Sequence, residues 1–584
     1  MKAFSCCLLI TLAFALSASA APTTILLEAE GFEDTGGWLI DQQSIEAMGS
    51  PYLLAHGLGR PVADAVTKVD IPASGKYRVF ARTKDWVARW KAPAAPGRFN
   101  ILIDGKPSGP TLGTKGVDWS WQDAGTVELN AGAVKVALHD LTGFEGRCDA
   151  VILTSDPDFV PPQGDKLKTW RRKMLGTDGP PTYQGMFDVV VVGGGVAGTC
   201  AAISSARLGL DVALIQNRPL LGGNSSSEIR VWIKGKTRKK PYPILGEIVD
   251  RLNTNPNKSP GDCDYGDDIK LKMVRAEKRI KLFLCEHVDE VRAYGKRITA
   301  VVSGNTKTNK RSIDHARWFV DCTGDGVVGF LAGADSEATP KGHLGASNMW
   351  YTHDIGKPVA FPKCPWAVQV GDNPAPQGHV GHWNWESGFD MDTVLDAEAI
   401  RDSNFRGMYG VWSYLKNAKK LYPNRELKWA AYVSGRRESR RLMGDVLLTA
   451  DDIRAQRAFP DASVTSTWSI DLHYPVKKYI PLQPQSPFIS HATFEHLKKP
   501  YPVPYRCFYS RNIDNLFMAG RCISVTHDAL GTVRVMGTCG MMGEVVGRAA
   551  SLCKKHDGNP RDVYAKHLAE LKKLMKTSLF DEKN

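Results

Sequence analysis

The chain has 584 residues, 43% of them hydrophobic, which suits roughly two or three globular domains with sizeable cores and excludes a disordered or low-complexity chain. The formal net charge is +13, but Lys and Arg are interspersed with acids. The one dense run, residues 234–240 (KGKTRKK), reads as a solvated loop, so no nucleic-acid face is indicated.

Residues 1–20 read as a secretory leader, with Lys2 ahead of the apolar run CCLLITLAFAL and small residues before Ala21. That reading makes the mature protein periplasmic or secreted. Later segments stay below the ~18 consecutive apolar residues of a membrane span. The remaining cysteines lack CxxC or zinc spacing; Cys200, Cys285, Cys322 and Cys539 sit in apolar or glycine-rich patterns and read as buried thiols.

Residues 21–156 hold short alternating runs (YRVFART, RFNILIDG, GTVELNAG, AVKVALHDL, DAVILTSD) between Gly and Pro turns, which predicts an antiparallel β-sandwich. The opening LLEAEGF and closing CDAVILTSDPDF resemble the ends of carbohydrate-binding, galactose-binding-like sandwiches. That resemblance implies a structural Ca²⁺ held by Glu28, Glu30 and Asp149. Trp86, Trp90, Trp119 and Trp121 have two readings: rings that stack on sugars, or rings packed in the core or against the next domain. Residues 157–185, rich in Pro, Gly and charge, read as a linker.

An α/β domain over residues 186–584 opens with an apolar strand at 189–192, the turn Gly193-x-Gly195-x-x-Gly198, a helix of small residues and a second apolar strand at 212–215. Gly193 makes the tight turn, and Gly195 lets backbone N–H groups, with those of Val196 and Ala197, approach a pyrophosphate. Gly198 lets the helix lie close on the sheet. The positive helix end faces the phosphates, so this is a Rossmann-like dinucleotide site. An acidic residue normally ends the second strand to take the ribose hydroxyls. Here the position is Gln216, which can still donate and accept, followed by Asn217 and Arg218. A second glycine turn follows at Gly222, Gly223, Asn224 and Ser225.

These motifs resemble the FAD-dependent oxidoreductases of the glutathione-reductase and fumarate-reductase type. Through residues 218–228 (RPLLGGNSSSE) the chain more closely resembles a secreted bacterial family carrying RPxLGGNxSSE. The resemblance implies FAD as cofactor and contact of the backbone near Val288 with the adenine. It also implies a second flavin segment at 319–326 (FVDCTGDG), with Thr323, Gly324, Asp325 and Gly326 at the cofactor. In a third segment Gly520 and Arg521 cross the cofactor, and a long helix beginning near Gly531 and Thr532 points at the flavin pyrimidine edge. Gly537, Gly540, Gly543 and Gly547 recur there at helical spacing. Each costs a helix about 0.8–1 kcal/mol against Ala, so a cofactor or a neighbouring backbone must lie on that bare face. Residues 336–500 read as an inserted substrate or cap region, helical over 392–450.

FAD supplies the redox chemistry, and the protein supplies a base and a pocket. For a sugar hydroxyl, hydride passes to flavin N5 and the proton to a base such as histidine. His527 is either that base or a hydrogen-bonding anchor of its loop. Arg534 binds a substrate oxygen or an FAD phosphate, or pairs with a cap acid. Asp471 and His473, flanked by Trp468 and Tyr474, form a second candidate pair, or else a surface feature. Of Arg436, Arg437, Arg440 and Arg441, one or two are expected to reach the active-site side, Arg440 among the candidates, while the rest pair with Glu438 and Asp445. The expected function is an exported FAD-dependent oxidoreductase acting on a carbohydrate or glycoside hydroxyl, with elimination of a glycosidic bond as a sharper form. Its expected partner is a small molecule or glycan, with no membrane span. Two readings stay open beside it: a fumarate-reductase-like reductase of an unsaturated acid with Arg534 as proton donor, and a non-catalytic glycan-binding protein.

Overall fold

The computed structural model describes residues 21–254, 259–371 and 378–580, so the predicted leader lies outside the described residues. The alternating N-terminal runs form two four-stranded sheets and a three-stranded one, all antiparallel. Thr24–Glu28 pairs with Ala150–Thr154, which pairs in turn with Gly75–Thr83, so the two ends of this region are tied in one sheet. Inward residues such as Trp38, Val79, Phe99, Ile101 and Val136 make its core.

Residues 157–185 are more than a linker. They contain the helix Asp165–Met174, which turns Leu167 and Arg171 inward, and the strand Thr182–Val192 begins within them. Arg171 also corrects the calcium expectation. Its Nη1 and Nη2 each donate to Asp149 at 3.0 Å and its Nε donates to Glu28 at 2.7 Å. Arg82 donates to Asp149 at 2.7 Å, and Asn309 to Glu30 at 3.0 Å. A buried guanidinium stands where the cation was expected and opposes the charges of Glu28 and Asp149, while burial raises the pKa of Glu30, whose partner Asn309 is neutral.

The four tryptophans dock this β region on the rest of the chain. Trp86 meets Trp366 edge-on at 5.3 Å, Arg406 lies over Trp90, Trp119 donates to Glu398 at 3.0 Å, and Trp121 meets Trp170 edge-on.

The remainder is built on a seven-stranded sheet. Ile280–Leu284, Val212–Gln216, Thr182–Val192 and Arg311–Asp321 run parallel in that order; the far edge of Arg311–Asp321 pairs antiparallel with Arg297–Asn305 near its start and parallel with Leu516–Met518 at its carboxyl end, and Glu286–Tyr294 pairs antiparallel with Arg297–Asn305. Both faces are covered, so the central strand is continuously apolar and Val189, Val190 and Val191 are buried. The helix Val196–Arg207 lies on this sheet and Met536–His556 packs across it.

That packing explains the recurring glycines: the bare face meets neighbouring protein, backbone at Gly537 and Gly543 and side chains at Gly540 and Gly547, not cofactor. A Cβ on Gly543 would stand 2.1 Å from the Ala197 carbonyl oxygen, and one on Gly547 2.6 Å from Ser204 Cβ. Gly543→Val should therefore force the helices apart and destabilise the protein by about 3 kcal/mol. A thermal melt within about 2 °C of the parent would contradict this tight approach.

Two helix expectations change. The helix expected from Gly531 is two helices, His527–Val533 and Met536–His556, separated where Val535 becomes extended. The cap contributes the helix Ala397–Asn417 and then strands, including Arg425–Ala430, because Lys420 and Tyr422 take positive φ and Pro423 follows. No helix among the described residues is long and apolar enough to cross a membrane.

Candidate active site

An open cleft, about 1300 Å³ counted together with the solvent at its mouth, lies beyond the carboxyl ends of the parallel strands. Its floor is bare backbone: Gly193, Gly195, Val196 and Ala197 from the first turn, Gly222, Gly223 and Asn224 from the second, and Gly520. A Cβ on Gly195 would meet nothing closer than Gly223 Cα at 3.9 Å, so the space above it belongs to the cleft. Gly193 has φ of 101°, and a Cβ there would stand 2.4 Å from the Cys322 carbonyl oxygen.

Several expected cofactor residues lie elsewhere. Gly198 seats its helix, where a Cβ would fall 1.8 Å from the Gly193 oxygen. Ser225 donates to the Gly222 carbonyl at 2.9 Å, and Gly326 caps a short helix against Leu442. Gly531 packs on Asp471, and Thr532 donates to the Trp468 carbonyl. The break at Val535 puts Arg534, Met536 and Cys539 on the cleft wall instead.

Gln216 reaches the cleft, but its amide is engaged by the protein. Oε1 accepts from Gly194 N–H at 2.8 Å and Nε2 donates to the Leu220 carbonyl at 3.0 Å. It braces the glycine turn from the cleft wall and keeps one N–H and one lone pair beyond these two bonds. Asn217, Arg218 and Val288 line the same side.

Opposite stand Thr323, Gly324, Asp325, Arg521 and Arg436. Burial works to raise the Asp325 pKa, but Arg436, Arg521 and the Ser439 hydroxyl outweigh it and hold the carboxyl at about 2. Arg436 donates to Asp325 at 2.6 Å. Sequence reasoning missed another wall entirely: Gln42, Gln43, Ile45 and Glu46 of the N-terminal β region. No local pattern ties them to a site more than a hundred residues away in sequence.

Arg534 joins the cleft to a buried polar cluster. Its Nη2 stands 3.2 Å from Asp471 Oδ2 and 3.1 Å from His473 Nε2. His473 Nδ1 bonds Glu386 Oε2 at 2.6 Å, and Arg437 stands 3.0 Å from Glu386 Oε1. Burial pushes the Glu386 carboxyl up, but Arg437 and His473 prevail and hold it at about 2; Asp471 is likewise held at about 2 against burial by His473, Arg534 and Trp468. Trp383, 41% exposed, lays its ring 5.0 Å from that of His473.

His527 forms a second His–carboxylate pair, Nδ1 to Glu438 Oε2 at 2.8 Å, while its Nε2 faces the exposed Asp528 at 3.9 Å. Glu438 is held at about 2 against burial by His527, the Leu344 N–H and Arg441. Arg440 is corrected: it pairs with Glu46 at 2.7 Å and lies over Phe330, whereas its neighbours Arg436 and Arg437 reach the site. Glu386 and Trp383 were not singled out from the sequence, since their loop has no periodicity to mark it.

The arrangement fits FAD. The floor admits a close-lying phosphate, and a long helix presents its positive end at Met536. The buried Arg521 Nη1 and Arg534 Nε have no hydrogen-bond partner in the protein, so each cation retains a donor for a bound group.

The family described as "FAD dependent oxidoreductase" matches residues 188–347 and 357–575. Glycerol-3-phosphate dehydrogenase 2 of Mycobacterium tuberculosis is 42% identical over 66 residues, 11% of this chain and 10% of that protein. Soluble pyridine nucleotide transhydrogenase of Ectopseudomonas mendocina is 55% identical over 70 residues, 12% of this chain and 14% of that protein. The chain thus spans between 10% and 14% of the length of these curated relatives. Among solved structures, a family 35 carbohydrate binding module from Clostridium thermocellum covers 22% of this chain and 97% of its own, at 18% identity and a TM-score of 0.19.

Proposed function

Because this chain belongs to the FAD-dependent oxidoreductase family, we propose that it is an exported enzyme that oxidises a hydroxyl of a carbohydrate or glycoside. The observation that carries this reading is Arg534, which lines the cleft and is bonded to the His473–Asp471 pair beside the half-exposed Trp383. Bound FAD supplies the hydride acceptor. The 193–197 turn and the helix starting at Met536 would hold its phosphates and ring.

In this reading His527, which is held by Glu438 beside the cleft and is not among the residues lining it, takes the proton of a hydroxyl that reaches it. Its Nδ1 is fixed by Glu438, which stays ionised and stabilises the positive charge that the ring gains. Arg534 and Arg521 donate to the substrate or cofactor oxygens that carry negative charge. Trp383 offers an apolar face to a sugar ring. Oxidation of a ring hydroxyl to a ketone, with FAD as the oxidant, also acidifies the C–H beside the ketone; loss of that proton would expel the glycosidic oxygen from the next carbon, and return of the hydride to the ketone would leave no external acceptor consumed.

The test is a panel of sugars and glycans added anaerobically to the oxidised holoenzyme, followed by visible flavin absorbance and by chromatography of products. Bleaching by a sugar supports hydroxyl oxidation, and cleaved glycan without an added acceptor supports elimination. Reoxidation of reduced enzyme by fumarate-like acids, with no bleaching by any sugar, would overturn the carbohydrate reading.

A further inference from the structure

Gln42 of the N-terminal β region is 3% exposed and lines the cleft, and its Oε1 has no hydrogen-bond partner in the protein. A buried amide oxygen is normally satisfied, so an orphan on a residue of the cleft wall points to a donor brought by whatever binds there. The segment bearing it is clamped in place. Gln43 Nε2 donates to the Tyr432 carbonyl at 2.7 Å, its Oε1 accepts from Ser434 N–H at 3.1 Å, and its carbonyl accepts from Arg436 at 2.7 Å. Gln42 Nε2 reaches the carbonyl of Asn217 at 3.5 Å. Asn217 follows Gln216 at the end of the second parallel strand, where dinucleotide sites of this architecture keep their ribose-binding side chain. Gln216 itself already bonds Gly194 and Leu220.

We propose that Gln42 supplies an acceptor at this strand end: its Oε1 accepts a hydrogen bond from a ribose hydroxyl of the adenosine half of FAD. The N-terminal β region is then part of the cofactor site and not an appended glycan-binding module. This rests on FAD occupying the cleft described above.

The experiment measures binding of FAD, FMN and ADP to apoprotein by flavin fluorescence and calorimetry, with the apoprotein melt as the fold control. Gln42→Leu keeps the volume and removes the acceptor, and should weaken FAD and ADP by about tenfold while leaving FMN unchanged. Gln42→Glu restores an acceptor and should bind FAD within about threefold of wild type. His139→Ala, on the exposed His139–Asp64 pair, should change nothing. Gly195→Val, which fills the cleft floor, separates the two readings. If it abolishes FAD binding while Gln42→Leu binds FAD and ADP like wild type, the ribose contact is wrong and the cleft assignment stands. If Gly195→Val also binds FAD normally, both fall.

Discussion

His527→Ala is expected to slow flavin reduction by substrate roughly 10²- to 10⁴-fold, with FAD still bound and the melting temperature little changed. His527 is partly exposed, so its loss opens no sealed cavity, and Glu438 keeps Arg441, Thr339 and the Leu344 N–H as partners. His473→Ala should behave differently. Glu386 is fully buried and loses one of its neutralising partners, which costs on the order of 1–3 kcal/mol. The pH dependence, by contrast, is shared, since each histidine helps to hold a buried carboxylate at about 2. Burial opposes the Glu386 charge, but Arg437 and His473 lower its pKa from 4.5 to about 2. A depressed carboxylate stabilises the fold fully above the unfolded value, here by ~3 kcal/mol, and that stability is lost as pH falls from about 4.5 to about 2. His473→Ala should therefore raise the pH of acid unfolding, and so should His527→Ala, because Glu438 is held at about 2 against burial first of all by His527. Rapid-mixing measurements of flavin absorbance, with acid titrations followed by circular dichroism, test both. A wild-type reduction rate in His527→Ala beside a large loss in His473→Ala would move the proton-accepting role to His473.

What could be read from the chain and what could not divide along sequence distance. The first glycine turn was legible because Gly193, Gly195 and Gly198 each meet a constraint set by residues nearby: a tight φ, open space, a touching carbonyl. The glycine face of the last helix was legible as a steric demand but not as to its cause, since Ala197 and Ser204 lie more than three hundred residues earlier. Gln216 stood where a ribose partner belongs, yet the carbonyl of Leu220 and the N–H of Gly194 already bond its amide. Glu386 lies in a strand of two residues, too short for alternation to mark. The calcium expectation failed for a related reason: Arg171, which replaces the cation, belongs to a helix in a stretch that composition alone describes as a linker.

The largest effect on stability is expected where the N-terminal β region meets the cap, in Arg147→Leu. Arg147, Arg401, Asp41 and Tyr52 are fully buried, and Asp402 nearly so. Arg147 donates to Glu398 at 2.5 Å and to Asp402 at 3.0 and 3.2 Å. Arg401 pairs with Asp41, and Tyr52 donates to Asp41 at 2.7 Å. Burial works against the Arg147 charge, but Asp402 and Glu398 outweigh it and raise its pKa. Removing one member leaves the facing carboxylates buried with less opposing charge, and such losses cost about 3–5 kcal/mol. Arg147→Leu combined with Asp402→Leu should recover part of this, because the charge left unpaired is then removed as well. The same interface seats Gln42 at the cleft, so the proposed ribose contact would link FAD binding to docking of the β region. Saturating FAD should raise one common melting transition in the wild type, whereas Arg147→Leu should melt earlier and bind FAD more weakly. Two transitions in the wild type, with FAD shifting only the later one, would mean that the β region folds and releases independently of the cofactor.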